Sequence, residues 1–261
     1  MFIVEKPLGW TPNQLINTIK TKHPEYENLK MSYAGRLDPM ARGLMFILMG
    51  DECKTQDLMI TKRKKYRFQL LLGIDSDTND ILGLPKTNGV KKMPSNEDIA
   101  EVIDTIIGKM YQKYPNYSSI YVTSKMGERK PLWKWTKEDR LSEIEIPGKY
   151  IEVYQLSVLR KYNINSNDLY NIIINKLSKN TEGDFRKVHI IEEWRKLLSS
   201  SKYDTRHMWK IVEIDADVSS GTYIRSLCKI IGQKLNCGGL AFDINRTSID
   251  NIDTPNFYVT I

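Results

Sequence analysis

Tyr33-Ala34-Gly35-Arg36-Leu37-Asp38-Pro39-Met40-Ala41-Arg42-Gly43-Leu44 sets one acid between an apolar residue and a proline, with glycines and arginines on both sides. Proline fixes φ and removes a backbone donor, so this stretch holds its aspartate in a rigid turn close to positive charge. Alone the pattern is weak, because an Asp-Pro pair most often only shapes a loop. Whether Asp38 belongs to a site depends on what the rest of the chain brings to it.

Upstream, Thr11-Pro12-Asn13-Gln14 supplies an N-cap hydroxyl, a proline at the first helical position and a glutamine three residues past the cap, so a helix is predicted to start there. Downstream, Tyr66, Phe68, Leu70 and Leu72 alternate with Arg67, Gln69 and Leu71, which is the period of a strand over 65–74. Both faces turn apolar toward its end, which places the strand centrally. A polar turn at 74–80 follows. Ser95 to Asp98 then forms a capping box ahead of Ile99, Val102, Ile103 and Ile106, with Gly108 as the stop. Strands are predicted over 149–159 and 209–218, and a helix from about Thr222. Between the last two strands, 163–206 carries amphipathic patterns at Leu169–Leu177 and Ile190–Leu198 and reads as a helical insertion. Strands mixed with helices, without regular βαβ alternation, indicate a single α+β domain over residues 1–261.

With 261 residues, 41% of them hydrophobic, the chain is long enough to bury a full core. The excess of 39 Lys and Arg over 32 Asp and Glu gives +7, which favours a polyanionic partner through counterion release. Cys53, Cys228 and Cys237 form no CxxC pair and have no histidine at ligand spacing, so neither a disulfide framework nor a metal site is expected. The apolar opening is stopped at once by Glu5 and Lys6, and Leu44–Met49 is far shorter than a membrane span. An intracellular, cytoplasmic location and no membrane partner are the expectation.

Several segments, in order, resemble the motifs of the TruB-type pseudouridine synthases. Glu5-Lys6-Pro7-Leu8-Gly9-Trp10-Thr11 is similar to the family's opening motif, and Gly35 to Gly43 to its catalytic loop. Lys65-Tyr66-Arg67 with Leu72 to Thr78 resembles its tyrosine strand and the acidic turn beyond. Tyr114 to Ser119 resembles the segment before its RNA-gripping loop, and Ser220-Gly221-Thr222-Tyr223-Ile224-Arg225-Ser226-Leu227 its arginine motif. Asn236 to Gly239 and Asn245 to Ile249 match its closing signature loosely, so the resemblance spans nearly the whole chain. The implied fold is the pseudouridine synthase catalytic fold: a central mixed or antiparallel sheet flanked by helices.

The resemblance implies an isomerase that turns uridine into pseudouridine in RNA with no cofactor and no metal. It makes Asp38 the essential carboxylate, either adding to the sugar or removing its 2' proton. Arg225 becomes the arginine that holds Asp38, and Tyr66 the tyrosine that stacks on the flipped uracil near C5. The implied substrate-binding set is Lys6, Tyr33, Arg36, Lys64, Lys65, Arg129, Lys130, Trp133 and Ile244. Tyr33 stands where the family carries a histidine that takes the nucleotide's place in the stack, and Arg36 replaces its usual threonine. Ile244 falls where a leucine is common. Lys62 to Lys65, and the cation and aromatic interleaving within Lys125–Lys137, resemble surfaces that grip phosphate and base.

Many family members continue into a small C-terminal RNA-binding domain of the PUA type, and no room for one is expected after Ile261. The expected partner is therefore RNA bound directly, without an obligate protein partner: tRNA in its TΨC arm by family analogy. The alternatives are a synthase for ribosomal or messenger RNA, and a non-catalytic RNA-binding or RNA-folding module on the same fold.

Overall fold

The computed structural model describes residues 1–87, 93–180, 183, 185–200, 203 and 207–259. In chain order its strands and helices are β1 (Phe2–Lys6), α1 (Pro12–Lys22), β2 (Met31–Ala34), β3 (Ala41–Met49), α2 (Gln56–Ile60), β4 (Lys64–Leu72), β5 (Asp75–Ser76), β6 (Pro85–Lys86), α3 (Asn96–Asp104), β7 (Gly108–Lys113), β8 (Tyr121–Thr123), β9 (Arg129–Pro131), α4 (Leu132–Lys137), β10 (Gly148–Asn165), α5 (Ser166–Ser178), α6 (Lys187–Leu198), β11 (Met208–Val218), α7 (Ile224–Lys234) and β12 (Gly239–Ile249).

Eight strands make one sheet in the order β1-β3-β12-β4-β11-β10-β7, with β2 also paired to β3. The β12–β3 ladder is parallel and the other ladders of this sheet are antiparallel. The architecture is thus α+β with a mixed central sheet. Alternation along β4 sets the layers. Tyr66, Phe68, Leu70 and Leu72 pack with Val212, Ile214 and residues of α3 and α7 on one face. Leu71 points the other way, toward Trp209, Ile211 and residues of α5 and α6. Each such buried side chain contributes roughly 1.5–3 kcal/mol, so a shift of one residue in β4 would forfeit both layers together.

The capping boxes form as read: Thr11 and Gln14 cap α1, and Ser95 and Asp98 cap α3. Helix α3 ends at Asp104, and Gly108 opens β7 at φ +112 instead of stopping the helix. Helix α7 starts two residues later than expected, because the Thr222 hydroxyl bonds the Ser219 carbonyl and closes a turn. Helices α5 and α6 coincide with the two amphipathic patterns, but β10 continues to Asn165 because β11 pairs with it that far, Asn165 opposite Met208. Residues 181–182, 184, 201–202 and 204–206 of that segment lie outside the described residues. Strand β3 gave no alternation signal because almost all of it is buried on both faces. Among the described residues no helix is long and apolar enough to cross a membrane.

Candidate active site

The loop that carries Asp38 joins β2 to β3, and a buried arginine of β12 fixes it at two points. Arg246 donates from Nη2 to the Gly35 carbonyl at 2.8 Å and from Nε to the Leu44 carbonyl at 2.6 Å. Gly43 lets β12 come this close: its φ is +107, and a Cβ there would stand 2.3 Å from the Arg246 carbonyl oxygen. The Asp38 carbonyl accepts from Ala41 N at 3.0 Å, and the Pro39 carbonyl accepts from Gly9 N at 2.8 Å, which ties the loop to the opening motif.

Arg225, on the first turn of α7 and 3% exposed, reaches this loop from 187 residues away. Its Nε donates to Asp38 Oδ2 at 2.8 Å, Nη1 to the Thr78 carbonyl at 2.7 Å and Nη2 to the Tyr117 carbonyl at 3.4 Å. Asp38 Oδ1 has no hydrogen-bond partner among the described residues, and the side chain remains 30% exposed. A second carboxylate faces the same guanidinium: Asp80 Oδ2 lies 3.8 Å from Arg225 Nε. Asp80 is buried and accepts from Thr78 Oγ1 at 2.6 Å and Leu82 N at 2.9 Å. Burial pushes its carboxyl up to about 6 against the pull of Arg225 and the Thr78 hydroxyl. Burial, then the charge of Asp38, likewise raises the Tyr223 phenol to about 12.

Two cavities meet at this pair. The smaller, about 180 Å³, includes Tyr66, Ile244, Ser118, Lys64 and Tyr223 in its lining. The larger, about 350 Å³, includes Trp133, Phe185, Arg186, Lys137 and Tyr117. Arg36, Asp38, Ser119 and Arg225 line both, so the carboxylate stands in their common wall. The Ser118 hydroxyl is buried in the lining of the smaller cavity without a hydrogen-bond partner among the described residues. A buried orphan hydroxyl costs about 1–3 kcal/mol unless a bound molecule meets it.

The structure therefore gathers Asp38, Tyr66, Arg225, Arg36, Ile244 and Lys64 at one cavity, with Trp133 on the other. Lys6, expected in the substrate-binding set, lines neither cavity: it is 0% exposed, and its amine donates to the Pro7 and Trp10 carbonyls at 2.8 and 2.6 Å. Burial brings it down to about 7, with Asp38 opposing that shift. Lys64 is also buried, bonds the Ile60 and Lys62 carbonyls and is lowered to about 8 by burial and Arg246. Lys130, expected in the same set, also lines neither cavity, and its amine is enclosed between Glu128 and Glu138 over the buried Trp135 ring. Tyr33 lines neither cavity and is half-buried against the cluster of Val4, Leu15 and Ile47, where it fills space between β2 and α1. Lys65 is half-exposed, 4.0 Å from Asp217, and Arg129 is exposed over the Tyr121 ring at 5.0 Å. Asp80 and Ser118 escaped sequence reasoning: the first is one acid in a run of acids, the second one serine of a pair. Only burial distinguishes them.

Several solved structures share this fold. A Cbf5-Nop10-Gar1 complex matches with TM-score 0.54 and 18% identity, covering 95% of this chain and 48% of that one. An H/ACA RNP bound to a substrate RNA containing 2'-deoxyuridine matches with TM-score 0.52 and 16% identity, covering 95% and 47%. By sequence, tRNA pseudouridine synthase B of Thermosipho melanesiensis is 27% identical over 248 residues, 95% of this chain and 63% of the relative. The enzyme of the same name from Clostridium kluyveri is 29% identical over 251 residues, 96% of this chain and 67% of the relative. The chain thus spans about two thirds or less of the length of these relatives. The sequence profile described as TruB family pseudouridylate synthase, N-terminal domain, matches residues 22–182 of the 261, and the chain belongs to that family.

Proposed function

We propose that this protein isomerises uridine to pseudouridine in RNA, with tRNA as its substrate, and that Asp38 is the carboxylate that acts on the ribose. One observation carries the reading: the buried Arg225 guanidinium, 2.8 Å from Asp38 Oδ2, fixes one carboxylate oxygen, while Oδ1 has no hydrogen-bond partner among the described residues and Asp38 lines the cavity that also holds Tyr66. A carboxylate held by a charged hydrogen bond on one oxygen is positioned without losing the other for reaction.

In this reaction the bond from C1' to N1 breaks, the base turns, and a bond from C1' to C5 forms. The C5 proton leaves and N1 gains one, so nothing is added or lost overall. Asp38 either adds to the sugar or removes its 2' proton to start the sequence. Tyr66 stacks on the detached base and stands where the C5 proton departs. The cavity is closed to a base inside a helix, so the uridine must be extruded at a cost of a few kcal/mol in lost stacking. The expectation of tRNA follows the named function of the relatives, and the TΨC arm follows the family resemblance.

The test is chemical mapping of pseudouridine in tRNA, ribosomal RNA and messenger RNA treated with the wild type and with Asp38→Asn. Pseudouridine formed by the wild type alone, at a defined tRNA position, is the expected result. RNA binding without modification by either protein would instead identify a non-catalytic module.

A further inference from the structure

The acidic turn that follows β4 serves two places at once. Thr78 and Asp80 line the larger cavity beside Asp38. Asp75, Ser76 and Asn79 line a third cavity, of about 460 Å³, which shares no lining residue with the other two. Its volume lies within the range of small-ligand pockets, about 300–1,000 Å³. The rest of its wall comes from Lys86 of β6, from Lys229 and Gln233 of α7, and from the connection between α7 and β12. Lys229 stands one helical turn beyond Arg225, so the third cavity begins behind the helix end that holds Asp38.

Asn79 is the group here that lacks a partner. It is 7% exposed, and its φ of +61 puts it in the left-handed region. Its backbone N donates to the Ser76 carbonyl at 3.2 Å and its carbonyl accepts from Ala241 N at 3.0 Å, whereas its side-chain amide has no hydrogen-bond partner among the described residues. A polar side chain this buried is normally bonded, and the cavity is the space in which a partner fits. The charges beside it are unpaired as well. Lys86 and Lys229 are exposed and make no ion pair and no side-chain hydrogen bond among the described residues. Asp75 Oδ1 accepts from Gly239 N at 3.0 Å, which fixes the carboxylate, and Oδ2 has no hydrogen-bond partner among the described residues.

Two amines against one carboxylate leave this lining with one positive charge, which a phosphate meets and a zwitterion does not. The carboxylate and the amide accept from hydroxyl groups carried beside that phosphate. No aromatic side chain is among the described residues of the lining, so a base has no face to stack on. These groups together select a sugar phosphate.

We propose that the third cavity binds a ribose phosphate, with Lys86 and Lys229 on the phosphate and with Asp75 and the Asn79 amide on the ribose hydroxyls. The choice of ribose rests on the functional reading above, because ribose phosphate is the sugar phosphate that a protein acting on RNA meets, in a strand or in a free nucleotide. The polar cavity itself does not depend on that reading.

The experiment is calorimetric titration of the full chain with ribose 5-phosphate and with inorganic phosphate, for the wild type, Lys229→Gln, Asn79→Gly and Lys234→Gln. Glycine accepts the positive φ of Asn79, and Lys234 is an exposed lysine of the same helix outside the lining, so its variant is the control. The wild type is expected to bind ribose 5-phosphate more tightly than inorganic phosphate. Lys229→Gln should weaken both about 10- to 150-fold, the equivalent of one charged hydrogen bond. Asn79→Gly should weaken ribose 5-phosphate alone, about 2- to 13-fold, and Lys234→Gln should change neither. Filter binding of oligoadenylate RNA, which offers no uridine to the active site, separates the sources: a parallel loss in Lys229→Gln assigns the ribose phosphate to a strand, and an unchanged affinity assigns it to a free nucleotide. Absence of saturable ribose 5-phosphate binding by the wild type overturns the proposal, as does equal binding by the wild type, Lys229→Gln and Asn79→Gly, or equal affinity for inorganic phosphate. None of these measurements requires pseudouridine to form, so failure of the catalytic assay and failure of this site are told apart.

Discussion

Asp80→Asn should make the protein more stable at neutral pH and slower at catalysis. Asp80 is buried, and its carboxyl is raised from 3.8 to about 6 with burial as the leading cause. A shift of about two units at about 1.4 kcal/mol each corresponds to about 3 kcal/mol. The sign follows from proton binding: between about pH 4 and pH 6 the folded protein keeps a proton that the unfolded chain releases, so stability falls as pH rises through that window and is flat above it. Asparagine resembles the protonated form at every pH. Urea unfolding should therefore give similar stabilities for the variant and wild type near pH 4, with a gap opening to as much as about 3 kcal/mol in favour of the variant by pH 7. Catalysis should move the other way. Without the second carboxylate 3.8 Å away, Arg225 is oriented by Asp38 and two carbonyls alone. Loss of one charged interaction, about 1.5–3 kcal/mol, implies single-turnover pseudouridine formation about 10- to 150-fold slower. Destabilisation of the variant at pH 7 would refute the reasoning, because it would make Asp80 above all the counter-ion that lets Arg225 be buried. So would an unchanged rate.

Lys6→Met tests the opposite titration: with the Lys6 amine lowered to about 7, the unfolded chain binds a proton between about pH 7 and pH 10 that the folded protein lacks, so wild-type stability should rise with pH across that range. Denaturation curves of the variant should be flatter there, and an identical slope would assign the rise to other groups. Tyr66→Phe keeps the ring against the base and removes the hydroxyl, so RNA affinity measured by filter binding should hold while the single-turnover rate falls about 10²- to 10⁴-fold, the usual contribution of a general acid or base. Trp135 is fully buried and donates its indole N–H to the Val122 and Lys130 carbonyls, each at 3.2 Å, so Trp135→Ala should cost about 3–5 kcal/mol of local stability. Hydrogen exchange should show that loss in β8, β9 and α4, with the central sheet protected as before.

What the sequence discloses here depends on how local the cause is. The caps of α1 and α3 are legible because donor and acceptor sit three residues apart, and β4 is legible because its two faces meet different layers. Strands β3 and β12 are mostly buried on both faces, so alternation vanishes where burial is greatest. The acidic turn shows the limit for the site. Asp75, Asp77 and Asp80 look equivalent in the chain, yet Asp75 accepts from Gly239 N, Asp77 pairs with Arg186, and Asp80 alone faces Arg225. The basic run divides in the same way: Lys62 pairs with Asp250, Arg63 with Asp217, and Lys64 turns inward. Charge counts cannot sort these residues, because all of them except Lys64, which bonds the nearby Ile60 and Lys62 carbonyls, are sorted by partners more than a hundred positions away. The Asp38–Arg225 pair was legible through the family resemblance and not through spacing.

The four buried or half-buried charges form an alternating row: Lys6 acts on Asp38, Asp38 bonds Arg225, and Arg225 faces Asp80. The two end members titrate close to neutrality, Asp80 at about 6 and Lys6 at about 7. Below pH 6, Asp38 has Lys6 charged on one side and sole claim to Arg225 on the other. Above pH 7, Lys6 is neutral and Arg225, still bonded to Asp38, is shared with an ionised Asp80, so the net positive charge around the Asp38 carboxylate is smaller without any movement of the chain. A carboxylate with less neutralising charge around it is the stronger nucleophile and the stronger base, which serves either role open to Asp38. The single-turnover rate should accordingly rise between pH 5.5 and pH 7.5 in the wild type and show a shallower rise in Asp80→Asn or Lys6→Met alone. In the double variant the rise should be abolished. A double variant that kept the wild-type slope would place the controlling titration outside this row.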